Sequence, residues 1–224
     1  MPAVTLLLTA GLWLPFRARP LAVATVVIPG IMLSILAHEL GHALVARRLG
    51  LSVTAIRLHA GGGEALIAGW AWSRRVDTLI TAAGPAVNVV LGVLCLAAYW
   101  MLWDVLHLNM DMSRPTGLRS LLRPFWATAL WWLGVFNLVL AGVNLLPAFP
   151  LDGGRLARNV LEPRIGVIKA QYRIGLAGII LAVVSGFVFF VSLLASVPIF
   201  APPYLRPNLE AYEAARAGRQ LPDE

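Results

Sequence analysis

The sequence has little charge, and the charge that it has is unevenly placed. Charged residues make up 13% of the 224 residues, whereas about a quarter is usual for a soluble domain. Hydrophobic residues make up 59%, and the mean hydropathy is +0.78. Because long apolar runs separate the charges, we predict an integral membrane protein. Polar surface is too scarce for several independent soluble domains.

Cysteine is also nearly absent, since Cys95 is the only one. No disulfide can form within the chain, and no cysteine cluster can hold a metal. The net charge of +7 raises the question of a nucleic-acid partner. However, the basic residues mostly flank apolar runs, which is typical of membrane boundaries. We therefore expect a lipid bilayer around the chain and no nucleic acid.

The apolar runs predict an all-α polytopic membrane protein with a bundle of about five to six transmembrane helices. Five segments stand out, and all but the first reach the ~20 residues that a spanning helix needs. We expect one domain over residues 1–200 and a short polar tail over 201–224. The five segments are residues 4–16, 21–46, 77–103, 124–147 and 174–200.

One connection has the pattern of strands rather than of a helix. It reads LSVTAIRLHAGGGEALIAGWAWSRR and alternates β-branched with polar residues around three glycines. This pattern predicts a small β-hairpin or sheet at the membrane surface, over about residues 51–70.

The distribution of Lys and Arg predicts the orientation. Ten of them lie in the connections 47–75 and 155–173, and five lie on the other side of the membrane. The richer side is expected to be cytoplasmic. If residues 4–16 span the membrane, five spans place the N-terminus in the cytoplasm and the C-terminal tail outside.

The second apolar segment contains the pentapeptide HELGH at residues 38–42. On a helix, His38 and His42 lie on one face, one turn apart, and can bind the same zinc ion. Glu39 is rotated by about 100° and can act as a base towards water that the zinc activates. The alternative is a pair of histidines hydrogen-bonded inside a helix bundle, but ionisable residues at membrane depth usually mark a functional site.

A catalytic zinc usually has three protein ligands and one open position. His59 and His107 lie in connections and are expected to be surface or interface residues. Asp152 is a better candidate, because it follows a proline-broken helix and precedes two glycines that allow sharp turns and close approach. The residues alone leave a second interpretation equally open, in which Asp152 is solvated and caps a helix that begins near Arg155.

The depths of the two halves of this site are compatible. Arg47 lies five residues after His42, which places the histidines on the order of 10 Å inside the basic boundary. The fourth apolar segment runs in the same direction as the second, so Asp152 is expected near the same level. This agreement favours a metal site.

Three motifs together resemble the site-2 protease family of intramembrane zinc metalloproteases. They are HELGH at 38–42, AAGPAVN at 82–88 and NLLPAFPLDGGR at 144–155. They occur in the family order, and the resemblance covers roughly residues 21–160. The chain offers no room for a PDZ domain or for paired CBS domains, so the resemblance is to a minimal form.

The resemblance implies one Zn²⁺ per chain, with His38, His42 and Asp152 as ligands and Glu39 as the general base. It also implies that Asn144 helps to hold the substrate or the oxyanion, and that Asn88, whose role is less clear, supports substrate binding or the transition state. Glu64 departs from the family, in which an apolar residue is frequent at this position.

The implied function is an intramembrane zinc endopeptidase that cleaves within or next to transmembrane segments, at the cytoplasmic side of the cell membrane. The implied substrates are membrane proteins such as an anti-sigma factor, a membrane-bound transcription regulator or a signal-peptide remnant. We hypothesise that the edge of the hairpin at residues 61–66, including Gly62 and Gly63, pairs with an unwound substrate by β-augmentation. The oligomeric state is left open.

Two alternatives belong to other functional classes. A transporter or metal-ion carrier could use the same His/Asp cluster, but such proteins commonly contain repeats with paired broken helices, and only one broken segment is evident here. A catalytically inactive membrane protein could retain the fold, but the intact set of Glu39 and the proposed ligands argues against it.

Overall fold

A computed structural model of the chain describes residues 20–59, 62–68, 73–108, 118–194 and 205–220. This part contains six helices and one two-stranded sheet. In chain order they are α1 (Pro20–Arg48), β1 (Ser52–His59), β2 (Gly62–Ala68), α2 (Arg74–Leu108), α3 (Leu118–Asn144), α4 (Asp152–Ile165), α5 (Val167–Leu194) and α6 (Leu205–Arg216).

Four helices, α1, α2, α3 and α5, are long and apolar enough to cross a membrane. They correspond to four of the five predicted apolar segments and confirm a mostly helical, multi-pass membrane protein. The remaining segment, 4–16, lies outside the described residues.

The spanning helices pack closely where glycines face each other. Between α2 and α3, a Cβ atom at Gly92 would lie 2.7 Å from the Leu138 side chain, and one at Gly134 would lie 2.7 Å from Leu96. Helices in lipid gain little from hydrophobic burial, so small residues that allow close backbone approach stabilise their association. A second contact joins α1 to α3 through Val27, Ile31, Ile35, Ala129, Trp132 and Phe136.

The predicted hairpin is present as an antiparallel pair that runs from Ser52 opposite Ala68 to His59 opposite Gly62. Before it, α1 ends at Arg48 and the chain turns at Gly50, whose φ of 84° favours glycine. The N–H of Leu51 then donates to the carbonyl of Ala46 at 3.0 Å, as in a Schellman motif. Ala46 and Leu51 pack with Ile80 of α2, and this contact places the hairpin beside the ends of α1 and α2.

A proline-containing segment separates α3 from α4, as predicted, but the two glycines that follow do not make a sharp turn. Gly153 and Gly154 lie in the first turn of α4, and neither has a positive φ. Their role is close approach. A Cβ at Gly153 would lie 2.2 Å from the Leu145 carbonyl group, and one at Gly154 would lie 2.6 Å from the Ala148 carbonyl oxygen.

Polar contacts hold α4 against the start of α2. Arg155 donates to the carboxylate of Asp77 at 2.6 Å, and Asn159 donates to the other oxygen of the same carboxylate. Arg74 and Glu162 form a further ion pair at 3.3 Å. The first two turns of α4 are therefore anchored on the same carboxylate of α2.

The C-terminal helix α6 packs on the first half of α5, near α4. Gln171 of α5 donates to the Ala211 carbonyl at 2.9 Å, and a Cβ at Gly175 would lie 2.9 Å from the Tyr212 nitrogen. This position differs from the expectation of a tail on the opposite side, which followed from counting five spans. The described part of the tail lies at the end of the bundle that carries α4.

The packing of α2 on α3 predicts different effects for two glycines of α3. Gly134→Val should lower the free energy of unfolding by about 1–3 kcal/mol, because the new side chain meets Leu96 and the Gly92 carbonyl in a closely packed contact. Gly142→Val is the matched control, since nothing lies within 4 Å of its Cβ position. Tryptophan fluorescence during denaturation in detergent measures both. Equal stability of the two variants would contradict this account of the α2–α3 contact.

Candidate metal centre

Two helices bring three electron-pair donors together. His38 and His42 lie one turn apart on α1, and Asp152 is the first residue of α4. The Nε2 atoms of the two histidines are 3.1 Å apart. The Oδ2 atom of Asp152 lies 3.2 Å from His38 Nε2 and 3.4 Å from His42 Nε2. Both histidines are buried.

This triangle fits a zinc ion. With zinc–ligand bonds of about 2.0–2.1 Å, tetrahedral ligand atoms lie about 3.3–3.4 Å apart, close to the three observed separations. Asp152 Oδ2 is buried and has no hydrogen-bond partner in the described part of the chain, and a buried unpaired carboxylate oxygen is costly. Among the described His, Cys, Asp and Glu residues, these three form the one cluster that could hold a metal.

The alternative role of Asp152 as a helix cap is not what the structure shows. The N-cap residue of α4 is Leu151, without a side-chain cap, and the Asp152 carboxylate faces the two histidines instead. Asp152 lies outside the four candidate spans. Burial raises the pKa of Asp152, but the nearby His38 and His42 hold it down at about 2. The group is therefore a carboxylate at neutral pH, as a metal ligand must be.

The orientation of His42 is fixed by a backbone carbonyl. Its Nδ1 atom lies 2.7 Å from the carbonyl oxygen of Ile80 on α2. A carbonyl oxygen can only accept, so Nδ1 carries the proton. The lone pair is then on Nε2 and points towards His38 and Asp152, which is the arrangement that a metal-binding histidine needs.

His38 is fixed in the same way through a chain of buried amides. Its Nδ1 contacts Asn88 Oδ1, and Asn88 Nδ2 donates to Asn137 Oδ1 at 2.8 Å. Asn137 Nδ2 donates to the Leu133 carbonyl at 2.8 Å and to Ser34 Oγ at 2.9 Å. Because the Leu133 carbonyl can only accept, every amide in this chain has one orientation. We call Asn88, Asn137 and Ser34 the amide chain. Its orientation places the acceptor Asn88 Oδ1 against His38, so the proton of His38 is on Nδ1.

The amide chain contains residues that the sequence did not reveal as part of a site. Asn88 was predicted to support substrate binding or the transition state, and its observed contact is with His38. Asn137 and Ser34 were not predicted. Asn137 carried a usable signal, because an amide in the apolar sequence FNLVLA of α3 is unusual in a spanning helix and is expected to bond across helices.

Glu39 lies beneath the hairpin. It is 8% exposed, and a Cβ at Gly63 would lie 2.4 Å from its Cγ atom. The backbone N–H of Ala65 also faces its carboxylate. Strand β2 therefore covers the glutamate and has room to do so because residue 63 has no side chain.

The other predicted residues lie farther from the triangle or outside the described side chains. Asn144 is half-buried at the end of α3 and has no side-chain hydrogen bond to the described residues. Gly62 pairs with His59 at the turn of the hairpin. The side chains of His59 and His107 lie outside the described part of the structure.

Comparison with known proteins decides the family. Residues 26–172 match peptidase family M50, and this range contains all three candidate ligands. The chain belongs to peptidase family M50. The matching region begins early in α1 and ends in the second turn of α5.

Individual proteins are also similar to this chain in sequence. Rip3 of Mycobacterium tuberculosis is 37% identical over 155 residues, which cover 69% of this chain and 36% of Rip3. A zinc metalloprotease of Methanocaldococcus jannaschii is 31% identical over 140 residues, which cover 62% of this chain and 35% of the relative. The matched part of the chain thus spans about a third of the length of these relatives.

A solved structure shares the fold. The site-2 protease from Methanocaldococcus jannaschii aligns with a TM-score of 0.57 at 22% sequence identity, over 99% of this chain and 88% of that chain. The fold expected from the resemblance is therefore confirmed.

A further residue of the M50 region lies at the metal position. A Cβ at Gly84 of α2 would lie 2.3 Å from His42 Nε2 and 2.7 Å from His38 Nε2. Gly84 belongs to the motif AAGPAVN, but nothing in that motif placed it beside the histidines. Its missing side chain leaves the space into which the three candidate ligands point.

Gly84→Ala should reduce the zinc content of the purified protein well below one per chain, because the methyl group must displace the ligand nitrogens. Ala86→Val, on the exposed face of the same helix, is the control and should retain zinc. Metal analysis by mass spectrometry measures both, with thermal denaturation as the test of folding. Full zinc content in folded Gly84→Ala protein would show that the metal does not lie in this space.

Proposed function

We propose that this M50 chain is an intramembrane zinc endopeptidase that hydrolyses peptide bonds within or next to transmembrane segments of membrane proteins. The observation that carries the proposal is the buried triangle of His38, His42 and Asp152, with the carboxylate of Glu39 beside it. The triangle is formed by a candidate spanning helix and the segment that follows another one. The relative from Methanocaldococcus jannaschii is named a zinc metalloprotease, which supports the same chemistry.

Different residues of the chain bind the metal and transfer the proton. His38, His42 and Asp152 would hold one zinc ion. When bound, the zinc acts as a Lewis acid that polarises the scissile carbonyl and makes water more acidic. The Glu39 carboxylate takes a proton from the attacking water and transfers it to the nitrogen of the leaving amine.

The surroundings of Glu39 suit this proton transfer. Its carboxylate lies close enough to both histidines and to Asp152 for their charges to act on it, yet it is not one of the three clustered ligands. The cover provided by β2 limits bulk water at the site, and a water-poor site strengthens electrostatic interactions with the developing charge.

A transmembrane helix cannot be cleaved while it remains folded, because its backbone groups are satisfied internally. The substrate must therefore unwind near the site. The N–H of Ala65 faces Glu39 and thus points away from β1, so the free edge of β2 lies over the catalytic glutamate. We propose that this edge, including Gly62 and Gly63, pairs with the unwound segment by β-augmentation.

The substrate class and the side of the membrane follow from the same reasoning. From the family resemblance, we propose membrane proteins such as an anti-sigma factor or a membrane-bound transcription regulator as substrates. The basic residues at the end of the bundle that carries the hairpin, α4 and the metal centre favour a cytoplasmic position for this end. Asn144, which ends α3 shortly before Asp152, is proposed to contact the substrate or the oxyanion.

Two substitutions should separate metal binding from proton transfer. Asp152→Ala should lose zinc, because it removes one of three ligands, whereas Glu39→Gln should keep about one zinc per chain and lose cleavage by 10²–10⁴-fold or more. Mass spectrometry gives the zinc content. Proteoliposomes containing a fluorescence-quenched membrane-spanning peptide with an Asn-Pro pair give the cleavage rate.

Each outcome has a definite meaning for this proposal. If the folded wild-type protein contains no zinc after purification and zinc addition, the proposed zinc endopeptidase is excluded. Full zinc binding by Asp152→Ala would identify the wrong third ligand. Normal cleavage by Glu39→Gln would exclude Glu39 as the base.

The hairpin hypothesis predicts a third effect. Gly63→Ala places a methyl group 2.4 Å from Glu39 Cγ at the edge where the substrate is proposed to pair, so cleavage should fall at least tenfold while zinc is retained. Glu64→Ala, an exposed neighbour on the same strand, should cleave at a near-normal rate. Unchanged cleavage by Gly63→Ala would argue against the close cover of Glu39 by β2, and unchanged cleavage by Gly62→Pro at the turn would argue against substrate pairing along β2.

A further inference from the structure

Helix α6 contacts the segment that carries the third candidate ligand. The Asn208 side chain accepts from the N–H of Phe149 at 2.8 Å and donates to the carbonyl of Phe149 at 2.7 Å. Phe149 lies three residues before Asp152. One amide side chain thus satisfies both backbone groups of a residue next to the metal centre.

Asn208 is held in this position by its own surroundings. It is 0% exposed, and a Cβ at Gly178 of α5 would lie 1.8 Å from Asn208 Oδ1 and 2.2 Å from its Cγ. The absence of a side chain at Gly178 therefore makes the space that Asn208 fills. Gln171 of α5, which donates to the Ala211 carbonyl at 2.9 Å, fixes α6 at a second point.

The segment between α3 and α4 needs such a partner. It is not helical. Within it, the N–H of Ala148 donates to the Leu146 carbonyl at 2.8 Å, and the N–H of Leu151 donates to the Ala148 carbonyl at 2.9 Å. Buried backbone groups must be paired, and the paired groups of Phe149 reach Asn208. Asp77 of α2 accepts from Arg155 of α4. The chain around Asp152 is therefore held by Asn208 before it and by Asp77 after it.

We propose that Asn208 is a positioning residue of the metal centre, which acts through the backbone of Phe149 to place the carboxylate of Asp152. Helix α6 is then a working part of the site, although it lies beyond the region, residues 26–172, that matches the family. This inference rests on the proposed zinc site, because positioning matters only if Asp152 is a ligand.

The first test is the zinc affinity of Asn208→Ala, measured by competition with a chromogenic chelator. Outer-sphere residues that orient a ligand typically contribute 10–100-fold to metal affinity, so a weakening of at least tenfold is expected. Replacing zinc with Co²⁺ gives a second readout, because the visible absorption bands of Co²⁺ report the ligand geometry. These bands should shift in the variant.

A matched pair of variants separates positioning from simple docking of α6. Gln171→Ala breaks a contact between α5 and α6 without touching Phe149, and should leave zinc affinity within about twofold of the wild type. The double variant Gly178→Ala with Asn208→Ala removes the three atoms nearest to a Cβ at 178 and fills part of the resulting space. It should recover thermal stability and still bind zinc weakly.

The outcomes are distinguishable. If the double variant recovers both stability and zinc affinity, or if Gln171→Ala weakens zinc binding as much as Asn208→Ala, Asn208 only docks α6 and the inference is overturned. If wild-type protein binds zinc and Asn208→Ala binds it equally well with the same Co²⁺ spectrum, the inference fails and the zinc site stands. If the wild type binds no zinc, the proposed function itself fails.

Discussion

The metal centre depends on two backbone carbonyl groups. The Ile80 carbonyl accepts from His42, and the Leu133 carbonyl fixes the amide chain that ends at His38. Neither oxygen can donate, so both imidazole rings have their lone pairs on Nε2, directed at the Oδ2 atom of Asp152. Three electron-pair donors within 3.4 Å of one another in a buried site repel unless a cation lies between them. The rest of the bundle keeps this arrangement from relaxing.

The bundle keeps the metal centre from relaxing because its backbone segments approach one another closely. Gly84, Gly63 and Gly153 each lie where a single methyl group would collide, respectively with the histidine nitrogens, the Glu39 side chain and the Leu145 carbonyl. None of them has a positive φ, so their role is space and not conformational freedom. The site thus combines α1, α2, β2 and α4 at distances that larger residues would forbid.

Sequence reasoning recovered the parts of the site that depend on local geometry. The spacing of His38 and His42 places both on one helix face in any fold, so it could be predicted with the spanning helices and the hairpin. The direction of Asp152 depends on how α4 packs, and the sequence left its two roles equally open. The hydrogen bond of Asn137 depends on which helix lies beside it, and the position of α6 depends on its packing against α5. Counting spans predicts neither.

The rigidity of the centre also bears on the alternative of a metal-ion carrier. A carrier must release its cargo, so its ligands must separate during a cycle of alternating access. Here the imidazoles are tied to carbonyls of α2 and α3, and the segment bearing Asp152 is tied to Asp77 and Asn208. Separating the ligands would break hydrogen bonds at more than one of these points, and the buried ones at the histidines are costly to lose. Such a centre is suited to a resident metal, which agrees with the proposed role of the buried Glu39 in proton transfer.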